Sequence, residues 1–112
     1  MMKRLPSVSI LLLTAAALWS TEGKTAFEVT NKTGFVLSAL YIGEINSEQW
    51  GDDLLGGNPL LDGESIIIPI VSLKSPIVNI RARDEEGDTY TVYGVDAEKD
   101  DVAIVLTDID PD

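Results

Sequence analysis

From Ala26 onward the chain is a succession of short runs of β-branched and aromatic residues, broken roughly every 8 to 15 residues by clusters of glycine, asparagine and aspartate. No segment sustains a helical period, so the pattern restricts the chain to a sheet architecture. The first run, residues 27–30, ends at Asn31-Lys32-Thr33-Gly34, which reads as a turn. The second, residues 36–42, places Val36, Leu40 and Ile42 on one face and Leu37, Ala39 and Tyr41 on the other. Both faces are apolar, which predicts a central strand.

Residues 43–64 form a long irregular stretch. Ser47-Glu48-Gln49-Trp50 offers the cap of one helical turn, and Gly56-Gly57-Asn58-Pro59 forbids its continuation. A connection of this length is functional or is pinned by its own apolar residues, here Trp50, Leu54, Leu55, Leu60 and Leu61. Residues 65–71 follow as a strand containing Pro69, which cannot donate a ladder hydrogen bond and so predicts an edge or a bulge. Residues 76–83 alternate, with Val78, Ile80 and Ala82 on one side and Ile77, Asn79, Arg81 and Arg83 on the other. Glu85-Glu86-Gly87-Asp88 then makes a hairpin loop into residues 90–95. Residues 102–106 close the set, with Val102, Ile104 and Leu106 inward, ahead of an acidic tail from Asp108. The expected fold is all-β: a small antiparallel β-sandwich of six or seven strands, Ig-like in the broad sense, in which residues 43–64 cross between sheets and Trp50 covers one end.

Upstream of this domain, Lys3 and Arg4 precede the apolar run at residues 9–18, which is the order of a secretory signal. Residues 1–23 are read as that signal, cleaved between Ala17 and Gly23, and residues 24–112 as one domain with an acidic C-terminal tail. The apolar run is shorter than the roughly twenty residues a membrane span needs, so no span is expected. The chain has no cysteine, hence neither a lipidated N-terminal cysteine nor a disulfide, and its stability must come from the core. That usage fits a bacterial periplasm, with secretion as the alternative. Asn31-Lys32-Thr33 matches a glycosylation sequon, a triplet that also arises by chance.

A net charge of −11 disfavours nucleic acid and anionic membrane surfaces, both of which need a basic patch, and favours a cationic partner or none. Histidine and cysteine are both absent, which removes the commonest general base, the usual zinc ligands and the thiol nucleophiles. No Ser-x-x-Lys or Gly-x-Ser-x-Gly context replaces them. The expectation is therefore a non-catalytic module without a cofactor, binding an envelope protein or a small ligand; a histidine-independent enzyme is the remoter alternative.

The acidic clusters Asp84-Glu85-Glu86-Gly87-Asp88, Asp96-Ala97-Glu98, Asp100-Asp101 and Asp108-Ile109-Asp110-Pro111-Asp112 raise a second alternative, a calcium-binding domain. Calcium takes six to eight oxygen ligands, often from aspartates two apart beside a glycine, but neither the first nor the last cluster has the EF-hand spacing. Solvated turns are the preferred reading. Candidate interaction residues are Trp50, Asp52, Arg81 and Arg83. For Trp50 a buried plug at one end of the sandwich is preferred over an exposed anchor. For Arg81 and Arg83, local ion pairs with nearby carboxylates are preferred over an anion site.

Taken in order, Asn31-Lys32-Thr33-Gly34, Leu40-Tyr41-Ile42, Trp50-Gly51-Asp52-Asp53-Leu54-Leu55, Asp62-Gly63-Glu64-Ser65 and Ile80-Arg81-Ala82-Arg83-Asp84 with Gly87 resemble a known pattern. It is that of a family of small exported β-sandwich domains of spirochaetes and proteobacteria, with a Trp-Gly-x-Asp-Leu-Leu signature between the second and third strands. The resemblance covers residues 27–107. It implies the sandwich fold and an exported location, and supplies no activity and no functional residues.

Overall fold

The computed structural model describes residues 24–112; the signal-peptide reading of residues 1–23 lies outside them. Six strands form: β1 (Ala26–Lys32), β2 (Leu37–Glu44), β3 (Ser65–Pro69), β4 (Ile77–Asp84), β5 (Thr89–Asp96) and β6 (Val102–Val105). They make two three-stranded sheets, in the orders β3-β1-β6 and β2-β4-β5. Of the four strand pairings among the described residues three are antiparallel, whereas β1 and β6 run parallel, which departs from the wholly antiparallel expectation. The described helical segments are two single 3₁₀ turns, Ile70–Ser72 and Leu106–Asp108. The result is a small, mostly antiparallel β-sandwich.

Phe27, Val29, Ile68 and Ile104 from one sheet meet Leu37, Leu40, Ile80, Ala82 and Tyr90 from the other to form the core. Period-2 alternation explains most of this, since Val78, Ile80 and Ala82 are buried as expected and so are Val102 and Ile104. Leu106 is the exception. The chain leaves β6 at Val105 for a 3₁₀ turn, in which the Asp108 carboxylate accepts the Val105 N–H at 2.9 Å, and Leu106 is left exposed.

Strand β2 corrects a second expectation, because it lies at a sheet edge and not in the centre. That edge is not left open. Residues 50–60 run along its free edge: Gly43 bridges Trp50, Leu37 bridges Leu60, and Leu54 N–H donates to the Leu40 carbonyl at 2.8 Å. Asp53 completes the guard, its carboxylate accepting Leu40 N–H at 3.0 Å and Leu55 N–H at 2.9 Å. No helical turn forms at Ser47; its hydroxyl accepts Gln49 N–H at 3.0 Å in a tight turn instead. The segment then crosses to the other sheet as expected, entering β3 at Ser65.

Strand β3 is an edge, as Pro69 requires. Hydrogen bonds from Ile70 N–H to Thr25 O and from Asn31 N–H to Glu64 O bracket the β1/β3 register, so Phe27/Ile68 and Val29/Ile66 are its hydrogen-bonded pairs. The backbone of Ser65, Ile67 and Pro69 therefore faces away from β1, and the missing Pro69 N–H costs the ladder nothing.

The sequence places Asn31 in a turn, but it is the penultimate residue of β1 and fully buried. Its amide donates to Phe35 O at 2.7 Å and Leu60 O at 2.9 Å, while its oxygen accepts Thr33 N–H at 3.0 Å and Thr33 Oγ1–H at 2.7 Å. The side chain fastens the β1–β2 turn to the end of the long crossover, and its nitrogen has no room for a glycan. At β5, Gly94 adopts φ +65° and opens a bulge opposite β4, with its N–H on the Asn79 oxygen at 2.9 Å.

Candidate functional site

A cleft of about 400 Å³ opens where the ends of β2 and β3 and the start of β4 converge. Its apolar walls are Ile42, Leu54, Ile68, Leu73 and Val78, and Trp50 lies at its margin. Glu44, Asp52 and Lys74 supply the charge around it. Ser47, Gln49, Ser72 and Ser75 add uncharged polar groups, so the lining combines apolar surface with convergent polar side chains, a combination that ligand sites use.

Trp50 is neither the buried plug preferred from the sequence nor a free anchor. It is half-buried, with its ring lying on Gly43 of β2. A Cβ at Gly43 would come within 3.0 Å of Trp50 Cε3, so the absence of a side chain there is what lets the indole lie flat. Arg81, from the outward face of β4, stacks on the ring with its guanidinium carbon 4.5 Å from the centroid. Arg81 Nε also donates to Thr91 Oγ1 at 2.9 Å, and Thr91 in turn donates to Asp110 Oδ2 at 2.7 Å. Thr89 Oγ1 donates to the same Asp110 oxygen at 2.8 Å, and the Arg81–Asp110 separation is 3.7 Å.

Arg81 thus finds a carboxylate, as expected, but one that lies far along the chain. The acidic tail docks: Ile109 bridges Tyr90, and Asp110 N–H donates to Thr89 O at 2.8 Å, so the tail covers the free edge of β5. Arg83 is exposed and lies over the Tyr41 ring at 5.9 Å, with no ion pair to a carboxylate among the described residues. The four candidate residues are therefore brought together only in part. Trp50 and Arg81 touch, Asp52 stands exposed at the cleft rim, and Arg83 pairs with Tyr41 outside the cleft.

The acidic clusters are used as hydrogen-bond acceptors. Asp84, which opens the first, is buried; its Oδ1 accepts Glu86 N–H at 2.9 Å and Asp88 N–H at 3.0 Å, closing the β4–β5 hairpin. Its Oδ2 accepts the buried Tyr90 hydroxyl at 2.7 Å. Burial, then the hydrogen bond to this carboxylate, push the Tyr90 hydroxyl well above its ordinary value. Asp101 accepts Lys24 Nζ at 2.8 Å and Glu28 N–H at 2.9 Å, and the lysine bond is the larger cause of its lowered pKa. These carboxylates are spread over separate turns, and the described residues contain no cluster of three or more suited to a metal ion.

Sequence reasoning missed Gly43 and Asn31. A lone glycine within a strand run signals close approach of another group, and that signal was available at Gly43. The burial of Asn31 has no local signature. Compared with known proteins, the chain matches no family model, no curated protein and no solved structure. Among the described residues no helix is long and apolar enough to cross a membrane.

Proposed function

We propose that this chain is an exported, non-catalytic β-sandwich module of a bacterial envelope, periplasmic or secreted, which binds a protein or small ligand in the cleft beside Trp50. The observation that carries the reading is the cleft itself: an open hollow of mixed apolar and polar lining, bordered by an aromatic ring that Arg81 holds in place from the next strand. A ring fixed in this way presents a face to a ligand with little ordering cost.

The hydroxyls around the cleft favour binding over catalysis. Ser47 accepts Gln49 N–H at 3.0 Å, Ser72 donates to Pro69 O at 2.6 Å and Ser75 accepts Ile77 N–H at 3.3 Å. Each cleft serine thus closes a local turn, and the chain has no histidine to activate one. The family resemblance carried by Trp50-Gly51-Asp52-Asp53-Leu54-Leu55 fits the same picture, because Trp50 and Asp53 of that motif guard β2 while Trp50, Gly51, Asp52 and Leu54 line the cleft.

The test is capture from an envelope extract by the wild type and by Trp50→Ala, with the fold of each checked by melting. A partner held by the wild type and lost from a folded variant supports the cleft. Equal capture by both refutes it.

A further inference from the structure

The sandwich protects its edges unevenly. Residues 50–60 bond along β2, the C-terminal tail bonds along β5, and Asp108 closes the Val105 N–H of β6. On β3 the outward N–H and C=O of Ser65 and of Ile67 meet no hydrogen-bond partner among the described residues. Beyond them the edge stops, since Pro69 has no N–H and its carbonyl accepts Ser72 Oγ–H at 2.6 Å. Ile67 is 58% exposed. Four unpaired backbone groups along one strand edge are what an added strand recognises.

This open edge adjoins the cleft. Ile68 of β3 lines the same hollow as Trp50 and Leu54. A strand that pairs with Ser65 and Ile67 runs along the mouth, and alternate side chains on it point inward. The surrounding charge selects the occupant. Glu44 and Asp52 outnumber Lys74 at the rim, Glu28 lies opposite Ile67 in the β1/β3 register, Glu64 precedes β3, and the chain carries −11 overall. A second copy fits poorly. Symmetric pairing about Ile67 sets Ser65 against Pro69, which lacks the N–H and has its carbonyl already occupied; pairing about Ile66 matches Ser65 with Ile67, but it brings two acidic surfaces together, Glu28 and Glu64 of each copy among them.

We propose that β3 is a docking edge for an extended, cationic segment of a partner protein, which adds to the sheet through Ser65 and Ile67 and seats an apolar side chain in the cleft between Ile68 and Trp50. The proposal rests on the cleft reading above and specifies its partner and its mode of binding.

The probe is a synthetic peptide of alternating lysine and valine, added to the full chain while amide hydrogen exchange is followed residue by residue by NMR. The expected result is slowing of exchange at Ser65 and Ile67 by about tenfold or more, with Ile66 and Ile68 amides little changed and the Trp50 indole resonance shifted. A glutamate–valine peptide, and a lysine–valine peptide methylated at every backbone nitrogen, should produce neither effect. Ile67→Pro, which removes an outward N–H, should abolish the protection at Ser65; the methylated peptide gives the same test without altering the protein.

A shift at Trp50 without protection at Ser65 and Ile67 would overturn strand addition and leave the cleft as a binding site. Absence of both would overturn the proposal, with the cleft then judged by the capture experiment alone. Equal protection by the glutamate peptide would overturn the cationic partner. Protection that grows with protein concentration in the absence of peptide would assign the edge to a second copy, and so overturn it too.

Discussion

The Arg81 guanidinium, on the central strand of its sheet, lies 4.5 Å from the centre of the Trp50 ring, which comes from the segment guarding the edge strand beside it. Because the ring is half-buried, Trp50→Ala should cost about 1 to 2 kcal/mol, of which the cation–aromatic contact supplies about 0.5 to 1 kcal/mol. Denaturant midpoints of the two proteins measure it. A loss of about 3 kcal/mol or more would restore the buried-plug reading, and no loss would show the ring unseated.

Gly43→Ala tests the same packing from below. The new Cβ would stand 3.0 Å from Trp50 Cε3 and 3.2 Å from the Gln49 carbonyl oxygen, so the indole and its turn must move. The expected cost is about 1 kcal/mol, smaller when Trp50 is already alanine. Additive losses in a double-mutant cycle would contradict the contact.

Asn31→Ala should be the most damaging polar substitution, at about 3 kcal/mol or more. It strips hydrogen bonds from the Phe35 and Leu60 carbonyls and from Thr33 at a fully buried position. A midpoint shifted by less than about 1 kcal/mol would mean that water replaces the amide and that the crossover is not fastened there.

The Tyr90 hydroxyl gives stability a dependence on alkaline pH. Its native pKa is raised above the ordinary 10.0, first by burial and next by the bond to Asp84. The unfolded chain therefore loses this proton before the folded one does. The contribution is complete below the unfolded value and declines as pH rises beyond it toward the native value. Thermal melts on either side of pH 10 should show that decline in the wild type, and Tyr90→Phe should lessen it. An identical slope in both proteins would exclude Tyr90 as the source.

Asp110→Ala should cost about 1 kcal/mol and loosen the tail from β5, because Thr89 and Thr91 both donate to that carboxylate. Faster exchange of the Asp110 amide, which otherwise donates to Thr89 O, is the specific sign to look for. An unchanged rate would show that the tail is held without its carboxylate.

Much of the sheet content was legible because strand alternation is a local property. The runs at residues 76–83 and 90–95 became β4 and β5 within a residue at either end, and Pro69 marked its strand as an edge. What a backbone group bonds to beyond its own strand is not local. Leu37, Ala39 and Tyr41 read as one apolar face of a central strand, whereas β2 is an edge with a bulge between Leu37 and Ala39, so Leu37 joins Leu40 in the core while the crossover bonds along the free side. Residues 50–55 were visible as a motif, but their bonds to Leu40 and Gly43 depend on where the crossover runs.

By itself the sequence determined an all-β domain with a thin apolar core and an acidic exterior, because side-chain period and composition decide which surfaces must leave water. Tertiary structure decided the rest: the parallel pairing of β1 with β6, the burial of Asn31, the Trp50–Arg81 stack and the open edge at β3. Each of these depends on bringing together groups distant in the chain, where satisfying backbone polar groups overrides local preference.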